Sequence, residues 1–98
     1  MEAVSVPRPS IVRGLRVWEW PGEPPDTLLM HGIGNYGRYW DFFAESIGGR
    51  LRLVAPDARG HGESLKPDEG YAPEQFVADA VAVNCSGAYP SSGFRLSP

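Results

Sequence analysis

Cysteine is nearly absent from this 98-residue chain, and Cys85, the single one present, has no internal partner. A disulfide framework is thereby excluded, and a reducing compartment is expected. Positive charge is sparse too. Nine Lys and Arg stand against twelve Asp and Glu, for a net charge of −3, and no basic stripe runs along the chain. Nucleic acid is not an expected partner. No run approaches the ~20 apolar residues of a membrane span. Met1 to Ser10 carries Glu2 and two prolines rather than an apolar core, which argues against a secretory leader. These absences together set the expectation of a soluble cytoplasmic protein with no membrane partner. The two histidines and the cysteine lie too far apart in sequence for metal-ligand spacing, so no metal is expected.

What remains is a globular composition. The apolar share is 42%, with three tryptophans, in a chain long enough for one small domain and too short for two. A domain of this size buries about 60–70% of its unfolded surface, enough for a modest core.

Ile11 to Trp20 is rich in Val, Leu and Trp, with partial alternation, and reads as one or two strands. Pro21 to Asp26 is a turn by composition. Thr27 to Met30 is a short apolar strand of the sort covered on both faces in a parallel sheet. Trp40, Phe43, Ala44 and Ile47 recur at i, i+3, i+4 and i+7, predicting a helix that Gly48 and Gly49 terminate. Leu51 to Ala55 predicts another strand. Pro73 opens a second helix, with Phe76, Val77, Ala80 and Val81 as its expected apolar stripe. Strand, helix, strand, helix is the pattern of βαβ units with a right-handed crossover, so the expected class is α/β with a parallel sheet.

The last stretch differs. All twelve acidic residues lie between Glu2 and Asp79, and Asn84 to Pro98 is rich in Ser, Gly and Pro. The change interrupts the second helix while its apolar pattern still runs. Residues 1–83 therefore read as a partial domain, and residues 84–98 as an irregular tail foreign to the fold. A truncation, a splice variant or a shifted reading frame would each produce that break; an ordinary disordered tail after a helix is the alternative.

Two loops carry the chemical signal. His31-Gly32-Ile33-Gly34 follows the first apolar strand, and Asp57-Ala58-Arg59-Gly60-His61-Gly62-Glu63-Ser64 follows the second. At this order and separation they resemble the N-terminal part of the α/β-hydrolase family, over about Ile11 to Val83. Gly70-Tyr71 followed by a helix fits the same continuation. The resemblance implies that the backbone N–H of Ile33 is one oxyanion-hole donor, the other coming from the residue after a nucleophile. Gly32 and Gly34 let that backbone turn, and His31 steadies the loop rather than acting as a base. Asp57, Arg59, Gly60, Gly62 and Ser64 are supporting residues: Asp57 and Ser64 bond loop backbone, Arg59 pairs with a carboxylate, and the glycines permit the tight path. Asp57 and His61 do not fit a catalytic triad, because the family order is nucleophile, acid, histidine.

No Gly-x-Ser-x-Gly occurs in these 98 residues. Asn84-Cys85-Ser86-Gly87-Ala88 is a faint echo with no strand before it, and neither Ser86 nor Cys85 carries a sign of activation. The parent activity that the resemblance implies is hydrolysis of a small ester, lactone, epoxide or haloalkane. It would run through a covalent intermediate on Ser or Asp, without a cofactor, and this chain would be inactive alone. Two alternatives stand beside it. One is a non-catalytic interaction piece or pseudo-subunit, since few strands leave sheet edges unpaired. The other is a dinucleotide-binding unit, since Gly32-x-Gly34-x-x-Gly37 fits GxGxxG and Asp57 ends the next strand. That reading leaves Arg59 to Ser64 unexplained.

Overall fold

The computed structural model describes residues 6–84, and the readings that fall on residues 84–98 lie outside them except for Asn84. A four-stranded sheet forms the centre, in the order β1-β2-β4-β3. β1 (Arg8–Val12) and β2 (Leu15–Trp20) form an antiparallel hairpin, β2 pairs antiparallel with β4 (Arg52–Pro56), and β3 (Asp26–Leu28) pairs parallel with β4. The sheet is thus mixed, which corrects the expectation of a parallel one. The hairpin is the reason. Arg13 and Gly14 both take positive φ, 57° and 82°, the two-residue turn whose twist matches that of paired strands. Only β3, a helix and β4 make the expected βαβ unit.

That helix begins as a 3₁₀ turn, Gly37–Trp40, and continues as α1, Asp41–Ile47. Gly48 ends it in the left-handed conformation at φ 62°, which glycine adopts without a Cβ clash. β3 starts one residue earlier and ends two residues sooner than Thr27 to Met30, although the Leu29 N–H still donates to Val54 O at 2.8 Å. α2 (Pro73–Asn84) meets the opposite face of the sheet through Val83, which packs with Leu15, Val17 and Val54. Among these residues no helix is long and apolar enough to cross a membrane.

Strand alternation divides the core into two layers. Leu15, Val17 and Val54 pack with Val83 of α2, joined by Val12, Leu28 and Leu65. Trp20, Leu53 and Ala55 pack with Ala44 of α1, joined by Trp18, Leu29, Trp40 and Phe43. The expected stripe of α2 requires correction. Val77 and Val81 are 63% and 40% exposed, whereas Asp79 and Val83 are buried. The inward face is Phe76, Asp79, Ala80 and Val83, again at i, i+3, i+4 and i+7. A carboxylate occupies one of its positions because it has a buried partner on the neighbouring loop.

The 3₁₀ turn is pinned to the sheet through Gly37. A Cβ there would meet Trp18 Cδ1 at 2.7 Å, Ala55 O at 2.8 Å and Asp57 Oδ1 at 2.9 Å. Gly37→Ala is expected to cost about 1–3 kcal/mol of stability, the range for overpacking a filled site. Urea unfolding checks it, and an unchanged midpoint would mean that the turn yields freely.

Candidate active site

The loops after β3 and β4 leave the same end of the sheet, outside the carboxyl ends of its two parallel strands. Ligands of open α/β sheets bind at such ends. The first loop is a type II turn. Asn35 N–H donates to Gly32 O at 3.1 Å, and Gly34 carries φ 85°, the position that demands glycine or asparagine. Ile33 therefore sits at its first central position, 95% exposed, and its N–H has no acceptor among the described residues.

His31 fixes that turn to the second loop. Its Nε2 accepts the Ala58 N–H at 3.0 Å, while Nδ1 lies 2.7 Å from Gly32 O. A ring nitrogen that accepts carries no proton, so the proton is on Nδ1 and is donated to Gly32 O. Both nitrogens are occupied by backbone. His31 is a clasp between loops.

The second loop is built around Asp57, which is 1% exposed. Oδ1 accepts the Gly37 N–H at 2.6 Å and the Trp18 indole N–H at 3.2 Å, and Oδ2 accepts the Glu63 N–H at 2.9 Å. This carboxylate thus joins β2, the 3₁₀ turn and its own loop. Ser64 donates to Asp57 O and accepts the Arg16 N–H at 2.8 Å, tying the loop back to β2. Gly62 lies against the Asp57 carboxylate with no room for a side chain. Gly60, at φ 82°, passes under Tyr71, whose Cε1 would be 2.7 Å from a Cβ.

Arg59 points the other way, into the layer beneath α2. Nε and Nη2 donate to the two Asp79 oxygens at 2.6 and 2.9 Å, and Nη1 donates to Gly70 O at 2.8 Å. The hydrogen bonds to Asp79 hold its guanidinium above the usual arginine range, against the opposing effect of burial. The fork grips helix and loop at once. His61 donates from Nδ1 to Arg59 O at 3.0 Å, and its ring lies 5.1 Å from that of His31.

Between these loops and the start of α2 opens a pocket of about 380 Å³, lined among others by Met30, Ile33, His61, Tyr71 and Phe76. Its wall is mostly apolar, as in small-molecule sites. The structure therefore gathers His31, Gly32, Ile33 and His61 around one cavity. It places Asp57, Arg59, Gly62 and Ser64 behind that cavity, in the supporting framework. Trp18, Gly37 and Asp79, the partners of Asp57 and Arg59, were not expected from the sequence. Only the need of a buried Arg or Asp for a partner could have suggested them, and it does not say which residue answers. Among the described residues no three His, Cys, Asp or Glu side chains converge as a metal site. Nor is Asp57 free to bind a ribose, since both its oxygens are committed to the fold.

The model of the family described as "Alpha/beta hydrolase family" matches residues 27–90, both loops included. The chain belongs to the α/β-hydrolase family. Protein phosphatase methylesterase 1 of Mus musculus is 37% identical over 82 residues, which are 81% of this chain and 21% of that protein. Pimeloyl-[acyl-carrier protein] methyl ester esterase of Nitrosomonas europaea is 31% identical over 78 residues, 80% of this chain and 30% of that one. The solved structure of an epoxide hydrolase from an endophytic Streptomyces matches with a TM-score of 0.69 at 30% identity, covering 84% of this chain and 26% of its own. This α/β-hydrolase chain thus spans less than a third of the length of the relatives it matches. The match to this family sets aside the dinucleotide-binding alternative.

Proposed function

We propose that this chain is the oxyanion-binding portion of a cofactor-free ester hydrolase, and that these 98 residues alone do not turn over. One observation carries the reading: among the described residues the Ile33 N–H has no acceptor, in a type II turn beside an apolar pocket. Hydrolysis of an ester through a covalent intermediate builds negative charge on the carbonyl oxygen, and a fixed N–H favours that state because nothing reorganises as the charge develops. Within this reading Ile33 supplies the donor, and Gly32 and Gly34 shape its turn. His31 holds the turn to the second loop, while Asp57, Arg59, Gly60, Gly62 and Ser64 keep that loop in place. The nucleophile, its acid and its histidine are not supplied by the motifs present here. Small uncharged esters fit the apolar wall, and two of the relatives above bear names of ester hydrolases. Epoxides, as in one of the structures that this chain resembles, and lactones or haloalkanes are the other substrates that the family resemblance implies. A reducing, cytoplasmic setting is proposed with it, on the single cysteine.

Proline is favoured at the first central position of a type II turn, so Ile33→Pro removes the N–H and keeps the turn. In amide-resolved NMR, methyl butyrate is expected to shift Ile33 and the pocket residues of the 98-residue chain. Ile33→Pro is expected to weaken that binding by roughly two- to tenfold, the net worth of one hydrogen bond. Equal binding by the proline variant overturns the assignment. A fluorophosphonate is expected to leave the intact mass unchanged, whereas a stoichiometric adduct would show an activated nucleophile within these 98 residues and overturn that expectation.

The non-catalytic reading has one observation in its favour, the exposed pair Val77 and Val81 on α2. It requires the pocket to be idle, so the same titration separates the two.

A further inference from the structure

The two histidines of the pocket are not equivalent. His31 spends both ring nitrogens on backbone. His61 spends one: Nδ1 faces Arg59 O, which as a carbonyl can only accept, so Nδ1 carries the proton of the neutral ring. Its Nε2 is then a lone pair. That atom forms no hydrogen bond among the described residues. Nor is it among their buried unpaired polar atoms, which are Trp40 Nε1, Asp41 Oδ1 and Asn84 Oδ1. His61 is half-buried and lines the cavity, with Nε2 on the far side of the ring from the Nδ1 that faces Arg59 O. Tyr71, the other polar side chain of the wall, already donates its hydroxyl proton to Pro67 O at 2.7 Å.

An apolar cavity holding one backbone donor and one side-chain acceptor reads two features of a ligand. We propose that His61 is the specificity-determining residue of this pocket, selecting ester substrates that carry a hydroxyl or amide N–H donor near the carbonyl. This rests on the pocket being the substrate site. The carbonyl oxygen takes the Ile33 N–H while the donor satisfies Nε2. A ligand lacking that donor strips water from Nε2 and returns nothing, a penalty sites of this kind use for discrimination. The backbone bond from Nδ1 makes the selection directional, because it keeps Nε2 an acceptor.

The test compares methyl 3-hydroxybutyrate with methyl butyrate on the 98-residue chain. Long-range ¹H–¹⁵N spectra at neutral-to-alkaline pH are expected to show His61 protonated on Nδ1, against the usual preference of free histidine for Nε2. Adding the hydroxy ester is expected to move both the Ile33 amide and the His61 Nε2 resonance, with affinity about two- to tenfold above that of the plain ester. His61→Phe is expected to equalise the two esters while leaving the Ile33 amide responsive. Equal affinities for the two esters in the wild-type chain, or a proton on Nε2, overturn the role of His61 and leave the pocket standing. If neither ester moves the Ile33 amide, the pocket reading itself fails, and this proposal with it.

Discussion

Replacing Asp57 with Ala is expected to lower the unfolding free energy by about 4 kcal/mol, a large share of the stability of a domain this small. The reason is the number of donors that the carboxylate serves. The Gly37 N–H, the Trp18 indole and the Glu63 N–H all point at its two oxygens, and the residue is 1% exposed. Alanine leaves them facing a void too closed for free access of water. A hydrogen bond to a charged group contributes about 1.5–3 kcal/mol, and leaving buried donors unmade is costlier than deleting both partners. The sum is not additive, because the Glu63 amide lies on an exposed loop and can turn to solvent. Asp57→Asn keeps one acceptor oxygen and sets an NH₂ against a donor. It is expected to cost roughly half as much. Urea unfolding of both variants, followed by tryptophan fluorescence, measures the difference. A loss below 1 kcal/mol for Asp57→Ala would mean that the loop is held by Ser64 and the backbone instead.

The position of Asp57 shows what the sequence could and could not disclose. Its place at the end of an apolar strand, before Arg59-Gly60-His61-Gly62, was enough to mark it as a loop-building residue. Its partners were not legible, because Trp18 and Gly37 come from segments 39 and 20 residues away and no local pattern links them. Local rules worked where the physics is local: Gly48 caps α1, and the Gly32–Asn35 turn forms where glycine permits it. They failed on α2, where apolar neighbours at 76, 77, 80 and 81 suggested a stripe. The helix is rotated instead so that Asp79 meets Arg59 in a bidentate contact, and Val77 and Val81 are left exposed. The hairpin was half legible. Arg13-Gly14 fits a two-residue turn, but arginine is not a residue that advertises positive φ.

The same limit applies at the opposite end of the sheet, where four charged side chains cross it in a line. Arg8 on β1 pairs with Glu19 on β2 at 3.1 Å, Arg52 on β4 reaches Glu19 at 2.8 Å, and its other nitrogen reaches Asp26 on β3 at 2.9 Å. Strand alternation places all four on the α2 side, in register with the apolar residues of that layer. The side chains of Glu19, Asp26 and Arg52 are 7%, 3% and 13% exposed, whereas Arg8 is 76% exposed. Arg52 is therefore the buried cation that two buried carboxylates share. Arg52→Met preserves the aliphatic stem and deletes the charge, leaving Asp26 without its ion-pair partner and Glu19 with Arg8 and the Ser10 hydroxyl. The expected loss is about 3–5 kcal/mol, the cost of stranding a buried charge rather than the worth of the ion pairs. That distinction makes a second variant informative. Adding Asp26→Asn and Glu19→Gln to Arg52→Met removes the stranded charges and is expected to recover more than half of the loss. If the triple variant is no more stable than Arg52→Met, the loss comes from the missing ion pairs of Arg52 themselves and not from stranded charge.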